Sequence, residues 1–209
     1  IGGRIGSGVP KQFVNFKNLN KKIIDFSIEE FSKNKFIDEV IIVVHKDWHE
    51  KTSKEFSNHK VIIGGKTRYE SSYNGLKNCS SDCKKVLIHD AARPFINQKI
   101  INDGINYLDD YDAAIPILDS SDSLIDISKN INNYLNRDNI KIIQTPQFFI
   151  YTKIFNAYNS IKSNNNLTDD MSVMLSHNSD CKSKYFQGYV ENFKITNIKD
   201  LELAISLLK

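Results

Sequence analysis

Apolar positions along this chain follow two alternating rhythms. Ile23, Ile24, Phe26, Ile28 and Phe31 fall near helical spacing and predict a helix. Residues 40–44, Val-Ile-Ile-Val-Val, are a short β-branched run without polar alternation, which predicts a strand buried on both faces. A second such strand, 60–63, ends at Gly64-Gly65, and a helix is predicted to follow through Leu76. Residues 86–88 predict a third strand, ending at His89-Asp90; 100–108 predict a helix and 113–118 another strand. Strands alternating with helices predict βαβ units, a parallel sheet and right-handed crossovers, the signature of an α/β fold.

The stretch 119–143 breaks this rhythm. It runs through Ser-Ser-Asp-Ser, an Ile/Asp alternation and an Asn-rich segment before returning to apolar residues at 140–143. It reads as an excursion, a β-arm leaving the domain. Beyond it, 151–161 predict a helix and 163–166 a polar loop. Thr168 is expected to N-cap a further helix, with Asp169 and Asp170 in a first turn where carboxylates suit the helix dipole. Residues 184–190 and 191–196 look strand-like, and 199–208 close the chain as an amphipathic helix. With no repeat and no long linker, residues 1–209 read as one domain.

Composition narrows the function classes. Of 209 residues, 40% are hydrophobic and 25% charged, enough for a sizeable core and unlike a disordered chain. Lys+Arg number 28 against 25 Asp+Glu, so the net charge is +3. That surplus gives no footprint for nucleic acid or an anionic membrane, though it leaves room for a local basic pocket. No apolar run approaches the ~20 residues of a membrane span, and no signal-peptide pattern opens the chain, so a cytoplasmic location is expected. Cys79, Cys83 and Cys181 are an odd set, expected to be reduced thiols, and Cys79 and Cys83 lack His or Cys partners at zinc-ligand spacing.

Three stretches could carry chemistry. The opening holds Gly2, Gly3, Arg4 and Lys11; glycines let backbone N–H groups approach a phosphate, and cations neutralise it. It is neither a P-loop nor a dinucleotide fingerprint, and a flexible terminus is an equal reading. Gly64-Gly65-Lys66-Thr67-Arg68 lies between a strand and a helix, where open parallel sheets bind ligands, and Ser71 one turn on can face the same crevice. The plain alternative is a strand-to-helix turn with a solvated Lys/Arg pair. In His89-Asp90-Ala91-Ala92-Arg93-Pro94, Asp90 is placed to hold a metal or a ribose hydroxyl, and Arg93 to take a phosphate. Alone, that segment reads better as a buried Asp–Arg pair beside a packed histidine. Arg137, Thr168 and Lys194 each read as surface when taken singly.

Taken in order, the segments 4–13, 64–71, 89–94, 144–148 (Gln-Thr-Pro-Gln-Phe), 168–170 (Thr-Asp-Asp) and 192–196 (Asn-Phe-Lys-Ile-Thr) resemble the cytidylyltransferases of the isoprenoid and teichoic-acid pathways over essentially the whole chain. The resemblance implies a three-layer, Rossmann-like nucleotidyltransferase with a mostly parallel sheet and a protruding β-arm, working as a homodimer. It implies the reaction of CTP with a polyol phosphate, methylerythritol 4-phosphate as the branch that Arg137-Asp138 ahead of Thr145-Pro146-Gln147 and Thr168-Asp169-Asp170 favour, with ribitol 5-phosphate of the sister branch as the alternative. By matching, Arg4, Lys11 and Lys194 are catalytic, contacting the phosphates; Lys11 and Arg4 are expected to face solvent at the pocket. Gly2, Gly3, Gly65, Ser71, Asp90, Ala91 and Arg93 match nucleotide-binding positions. Arg137 and Thr168 match positions holding the polyol phosphate, with Ser120 or Ser123 offering an arm hydroxyl; Arg137 is expected to serve the partner subunit. Mg²⁺ is implied, held mostly by triphosphate oxygens with Asp90 nearby. The family's first strand and glycine turn, about ten residues, are expected ahead of Ile1. A catalytically silent nucleotide-binding module is the competing class, and the retained cations Arg4, Lys11, Arg137 and Lys194 argue against it.

Overall fold

The computed structural model describes residues 10–16, 19–128, 133–161 and 167–208. Gly2, Gly3, Arg4 and the loop 163–166 lie outside the described residues. A one-turn 3₁₀ helix at Lys11–Phe13 leads into a short antiparallel pair, β1 (Asn15–Phe16) and β2 (Lys21–Lys22). There follow α1 (Ile23–Ser32), β3 (Ile41–Val44), α2 (Lys46–Glu55), β4 (Lys60–Ile63), α3 (Arg68–Lys77), β5 (Lys85–Ile88), α4 (Gln98–Tyr107) and β6 (Ala113–Asp119). The second half holds β7 (Leu124–Asp126), β8 (Asn133–Leu135), β9 (Lys141–Ile143), β10 (Gln147–Ile150), α5 (Tyr151–Ser160), α6 (Asp170–His177), β11 (Ser183–Gln187) and α7 (Ile198–Leu207).

The main sheet has the order β11-β6-β10-β5, with β9 also pairing β6. β6 and β11 are parallel, while β10 runs antiparallel to both β5 and β6. β5, β6 and β11 therefore share one direction, with β10 inserted between two of them. β3 and β4 form a separate parallel ladder. The period of two along β6 and β10 splits the core between two faces. Ala113, Ile115 and Phe149 pack with Leu76, Ile154, Tyr158, Met171 and Met174 of α3, α5 and α6. Ala114 and Phe148 pack on the other face with Ile100, Ile101 and Ile105 of α4 and Phe31 of α1. Helices on both faces make the three layers of an α/β fold. α4 approaches closely because Gly104 has no Cβ; one built there would lie 2.3 Å from the Phe148 ring.

Several elements differ from the sequence expectation. β10 begins at Gln147, in a segment that reads as a turn, and it abuts α5 with no turn residue between Ile150 and Tyr151. α2 has no apolar stripe, and Thr52 is its buried residue. It is held instead by the His45 ring, which accepts a hydrogen bond from Asp47 N (3.3 Å), and by Trp48 stacked on Phe13 (4.7 Å between centroids). The N-cap of α6 is Asp169, whose carboxylate accepts from Ser172 N (2.9 Å); Thr168 lies one residue earlier and is exposed. A carboxylate is the stronger acceptor at a helix N-terminus, which explains the choice. Residues 191–196 are a loop rather than a strand, tied to the body where Ile195 N donates to Ala92 O (2.9 Å).

Between β6 and β9 the chain leaves the sheet. β7 and β8 pair only with each other among the described residues, and their surroundings expose Ile127 (73%) and Tyr134 (74%).

Candidate active site

The site is assembled from segments that follow strands. After β4, Thr67 caps α3, its Oγ1 accepting from Glu70 N (3.1 Å). Glu70 in turn accepts from Lys66 N (2.6 Å), so the loop folds back on the first helical turn. A Cβ on residue 65 would lie 2.1 Å from Glu70 Cβ, and glycine is the residue that permits this approach. Ser71 Oγ accepts from Gly65 N (3.1 Å) and donates to Thr67 O (2.8 Å), so it fixes the loop from inside. Ala91 packs, partly buried, against the cluster of Phe13 and Ile42.

Asp90, just beyond β5, is the centre. Its Oδ2 receives Lys194 Nζ at 2.8 Å and its Oδ1 faces Arg68 Nε at 3.4 Å, with Arg93 Nε at 4.0 Å. Burial alone would raise the Asp90 pKa, but Arg68 and Lys194 outweigh it and hold the carboxyl well below the usual carboxylate range. Arg93 is buried, and its Nη1 donates to Asn192 O (2.8 Å), which binds the loop carrying Lys194 to the end of β5.

Lys11 corrects an expectation: it is buried rather than solvent-facing. It opens the 3₁₀ turn Lys11–Phe13, which packs against the body through the buried Phe13 stacked on Trp48. Burial, then the nearby Lys194, push its pKa down, against the opposing pull of Asp90 and Asp200. A buried ammonium poised against a second one is an anion site by electrostatics.

His89 is structural. Its Nε2 donates to Arg93 O (3.1 Å), which leaves Nδ1 as acceptor for the Thr145 hydroxyl (3.3 Å). Burial pushes its pKa down to about 4. A histidine depressed on folding contributes stability that is complete above its unfolded pKa and is lost as pH falls towards the folded one. Between pH 6.5 and 4 this protein is therefore expected to lose about 3 kcal/mol through His89 alone. Denaturant melts across that window check this, since His89→Gln should flatten the slope.

The arm residues gather elsewhere. Ser120 and Arg137 line a cleft of about 420 Å³ with Asp119, Ser121, Asp138 and Lys141. Arg137 Nη1 donates to Ser121 O (3.0 Å) and Ser120 Oγ donates to Asp122 O (3.2 Å); Ser123 is exposed and does not line the cleft. Thr168 lines a different cavity, of about 20 Å³, beside Arg68, Tyr158 and Asp169. Among the described residues, no group of three or more His, Cys, Asp or Glu side chains could hold a metal ion.

Sequence reasoning undervalued Arg68 and Asp170. Arg68 reads as one of a solvated pair, yet its Nη2 donates to Asp170 Oδ2 at 2.6 Å, and Asp170 is 0% exposed. The position of Arg68 at a strand-to-helix junction was the available signal.

A three-layer α/β fold that gathers Arg68, Arg93 and Lys194 around a carboxylate beyond a sheet strand, with the Lys11 ammonium in the same field, has the cationic site that a nucleotidyltransferase needs, at the place where open α/β sheets bind nucleotides. The family model of 2-C-methyl-D-erythritol 4-phosphate cytidylyltransferase matches residues 1–209. The chain belongs to that family. A protein of that name from Clostridium botulinum is 37% identical over 220 residues, spanning 100% of this chain and 93% of its own length. One from Clostridium perfringens is 37% identical over 219 residues, spanning 100% and 94%. The crystal structure of a 4-diphosphocytidyl-2C-methyl-D-erythritol synthase from Anaerococcus prevotii aligns with a TM-score of 0.84 at 30% identity, over 90% of this chain and 86% of that one.

Proposed function

We propose that the cations converging on Asp90 carry out the family's reaction, transfer of the cytidylyl group of CTP to 2-C-methyl-D-erythritol 4-phosphate in isoprenoid biosynthesis. An oxygen of the polyol phosphate bonds to the α-phosphorus of CTP. The bond from that phosphorus to the bridging oxygen breaks, and pyrophosphate leaves. Such transfers are governed by positioning and by electrostatic stabilisation of phosphate charge.

The carrying observation is the meeting of Arg68, Arg93 and Lys194 with Asp90 from separate segments, with the buried Lys11 ammonium close enough to feel the charges of Lys194 and Asp90. Lys11 and Lys194, with Arg4, stabilise charge at the triphosphate. Gly65, Ser71, Asp90, Ala91 and Arg93, with Gly2 and Gly3, bind the nucleotide. Asp90 Oδ1 meets Arg68 Nε at 3.4 Å and has a further lone pair to offer, so the residue fits a Mg²⁺ brought in on the triphosphate. When bound, the ion would neutralise charge on the phosphate oxygens.

Thr168 and Arg137, with Ser120 or Ser123, hold the polyol phosphate. Thr168 and Arg137 line different cavities in one chain, which supports an arm that serves a second copy. The exposed Ile127 and Tyr134 are apolar surface for that pairing. On this reading residues 1–209 work as one cytoplasmic domain, dimeric through 119–143, and need neither nucleic acid nor a membrane. No helix is long and apolar enough to cross a membrane among the described residues. Arg137→Ala is expected to raise KM for the polyol phosphate about tenfold or more and to leave KM for CTP within about twofold, since one charge-assisted contact is lost. Steady-state kinetics in each substrate check this, and a fall in CTP affinity instead would move Arg137 to the nucleotide.

Pyrophosphate release from CTP tests the reaction, with methylerythritol 4-phosphate and ribitol 5-phosphate assayed side by side. Release with the first supports the reading. Release only with the second keeps the mechanism and changes the substrate, and silence with both leaves a nucleotide-binding module.

A further inference from the structure

The polar contacts around Asp90 continue inward as a single line. Tyr158, buried in α5, donates its hydroxyl to Asp170 Oδ1 at 2.6 Å. Asp170 Oδ2 accepts from Arg68 Nη2 at 2.6 Å. Arg68 Nε reaches Asp90 Oδ1 at 3.4 Å, and Asp90 Oδ2 accepts from Lys194 Nζ at 2.8 Å. Each carboxylate spends its two oxygens on different partners, so the orientation of each is set from both sides. One end lies in the interior, where Asp170 is 0% exposed; the other opens at Lys194, whose side chain is 37% exposed.

Resting on the reading above, we propose that Arg68, fixed by Asp170, is a positioning residue for the transfer. It turns the Asp90 carboxylate so that the outer oxygen holds Lys194 where the phosphates meet. Asp170 is the first residue of α6, two beyond Thr168, so the same clasp ties the Thr168 segment to Lys194. The two substrate ends of the site are then set as one rigid unit. Arginine suits this task because its planar fork carries separated donors that can reach two carboxylates; a lysine at 68 has one donor atom and cannot span them. Arg68 emerges from the first turn of α3, and the Gly65–Ser71 contacts hold that turn in place.

A displacement of an ångström in a phosphate-binding group costs on the order of a hundredfold in rate. Arg68→Lys and Asp170→Asn are each expected to lower kcat on the order of tenfold or more while KM for CTP moves little. Tyr158→Phe, at the inner end, is expected to act in the same direction and more weakly. In a Lys194→Ala background, Asp170→Asn is expected to add no more than about twofold, because the group it positions is gone.

The experiment measures kcat, both KM values and the thermal midpoint for the single variants and for the Asp170/Lys194 double. Arg68→Lys serves if Asp170→Asn fails to fold, because it keeps the charge. Loss of kcat that vanishes in the Lys194→Ala background supports the relay. Lower midpoints with unchanged kcat overturn it as a purely structural clasp, and an equal loss in both backgrounds also overturns it. A wild-type protein that releases no pyrophosphate removes the functional reading itself, which is a distinct result.

Discussion

Lys194→Ala is expected to lower kcat by about 10²–10³-fold and to leave the thermal midpoint close to that of the wild type. The magnitude is that of removing one preorganised group aimed at developing phosphate charge. The fold is expected to tolerate the change for reasons visible around the residue. Its side chain is 37% exposed and leaves no large cavity on truncation. The loop stays attached through Ile195 N on Ala92 O and Arg93 Nη1 on Asn192 O, neither of which involves the lysine side chain. Asp90 keeps Arg68 and Arg93 at 3.4 and 4.0 Å and is not left as an unpaired charge. Steady-state turnover at saturating CTP and polyol phosphate, beside a melt, checks both halves. Wild-type kinetics would detach Lys194 from the chemistry.

Lys11→Met is expected to cost turnover on the same scale and to leave the protein as stable as before or more so. The opposite signs follow from the same observation. Burial and the neighbouring Lys194 hold the Lys11 pKa down, so the folded state is strained by that charge. Methionine keeps the length and apolar stem and removes the penalty, which places Lys11 among residues where function opposes stability. The pH dependence gives a second check. A lysine with a depressed folded pKa carries fewer protons folded than unfolded between that value and about 10.4, so stability rises with pH there. The wild type should gain on the methionine variant across that interval. A methionine variant that melts much lower would show the ammonium to be a structural anchor instead.

Much of the layered core was legible because its helices and strands have distinct apolar periods. α1, β3, β4, β5, α4, β6 and α7 fall where the runs of β-branched and helically spaced residues put them. What escaped had its determinants elsewhere. α2 is polar nearly all round and depends on a distant Phe13–Trp48 stack, which no local window contains. β10 is hidden because its four residues merge into α5, and its antiparallel setting depends on partners 63 and 36 residues away, with Phe149 opposite Val86 and Ala113. The site divides likewise. Single residues such as Asp90, Arg93 and Lys194 could be picked out through the family pattern, but their convergence needs the folded chain. Arg68 and Asp170 were misjudged because each sits at a helix N-terminus, where a charge reads adequately as a cap or a solvated end. Their pairing spans 102 residues, and the sequence carries no local mark of it.

The proposed reaction is one direct displacement at the α-phosphorus, driven by cations and requiring no nucleophile from the protein. The measurement that addresses it is stereochemical. A single diastereomer of the α-phosphorothioate of CTP is turned over with methylerythritol 4-phosphate, and the configuration at phosphorus in the product is assigned. A direct in-line attack by the substrate phosphate predicts inversion. Retention would require two successive displacements through an enzyme-bound cytidylyl group, and would contradict the roles given to Lys11, Asp90 and Lys194.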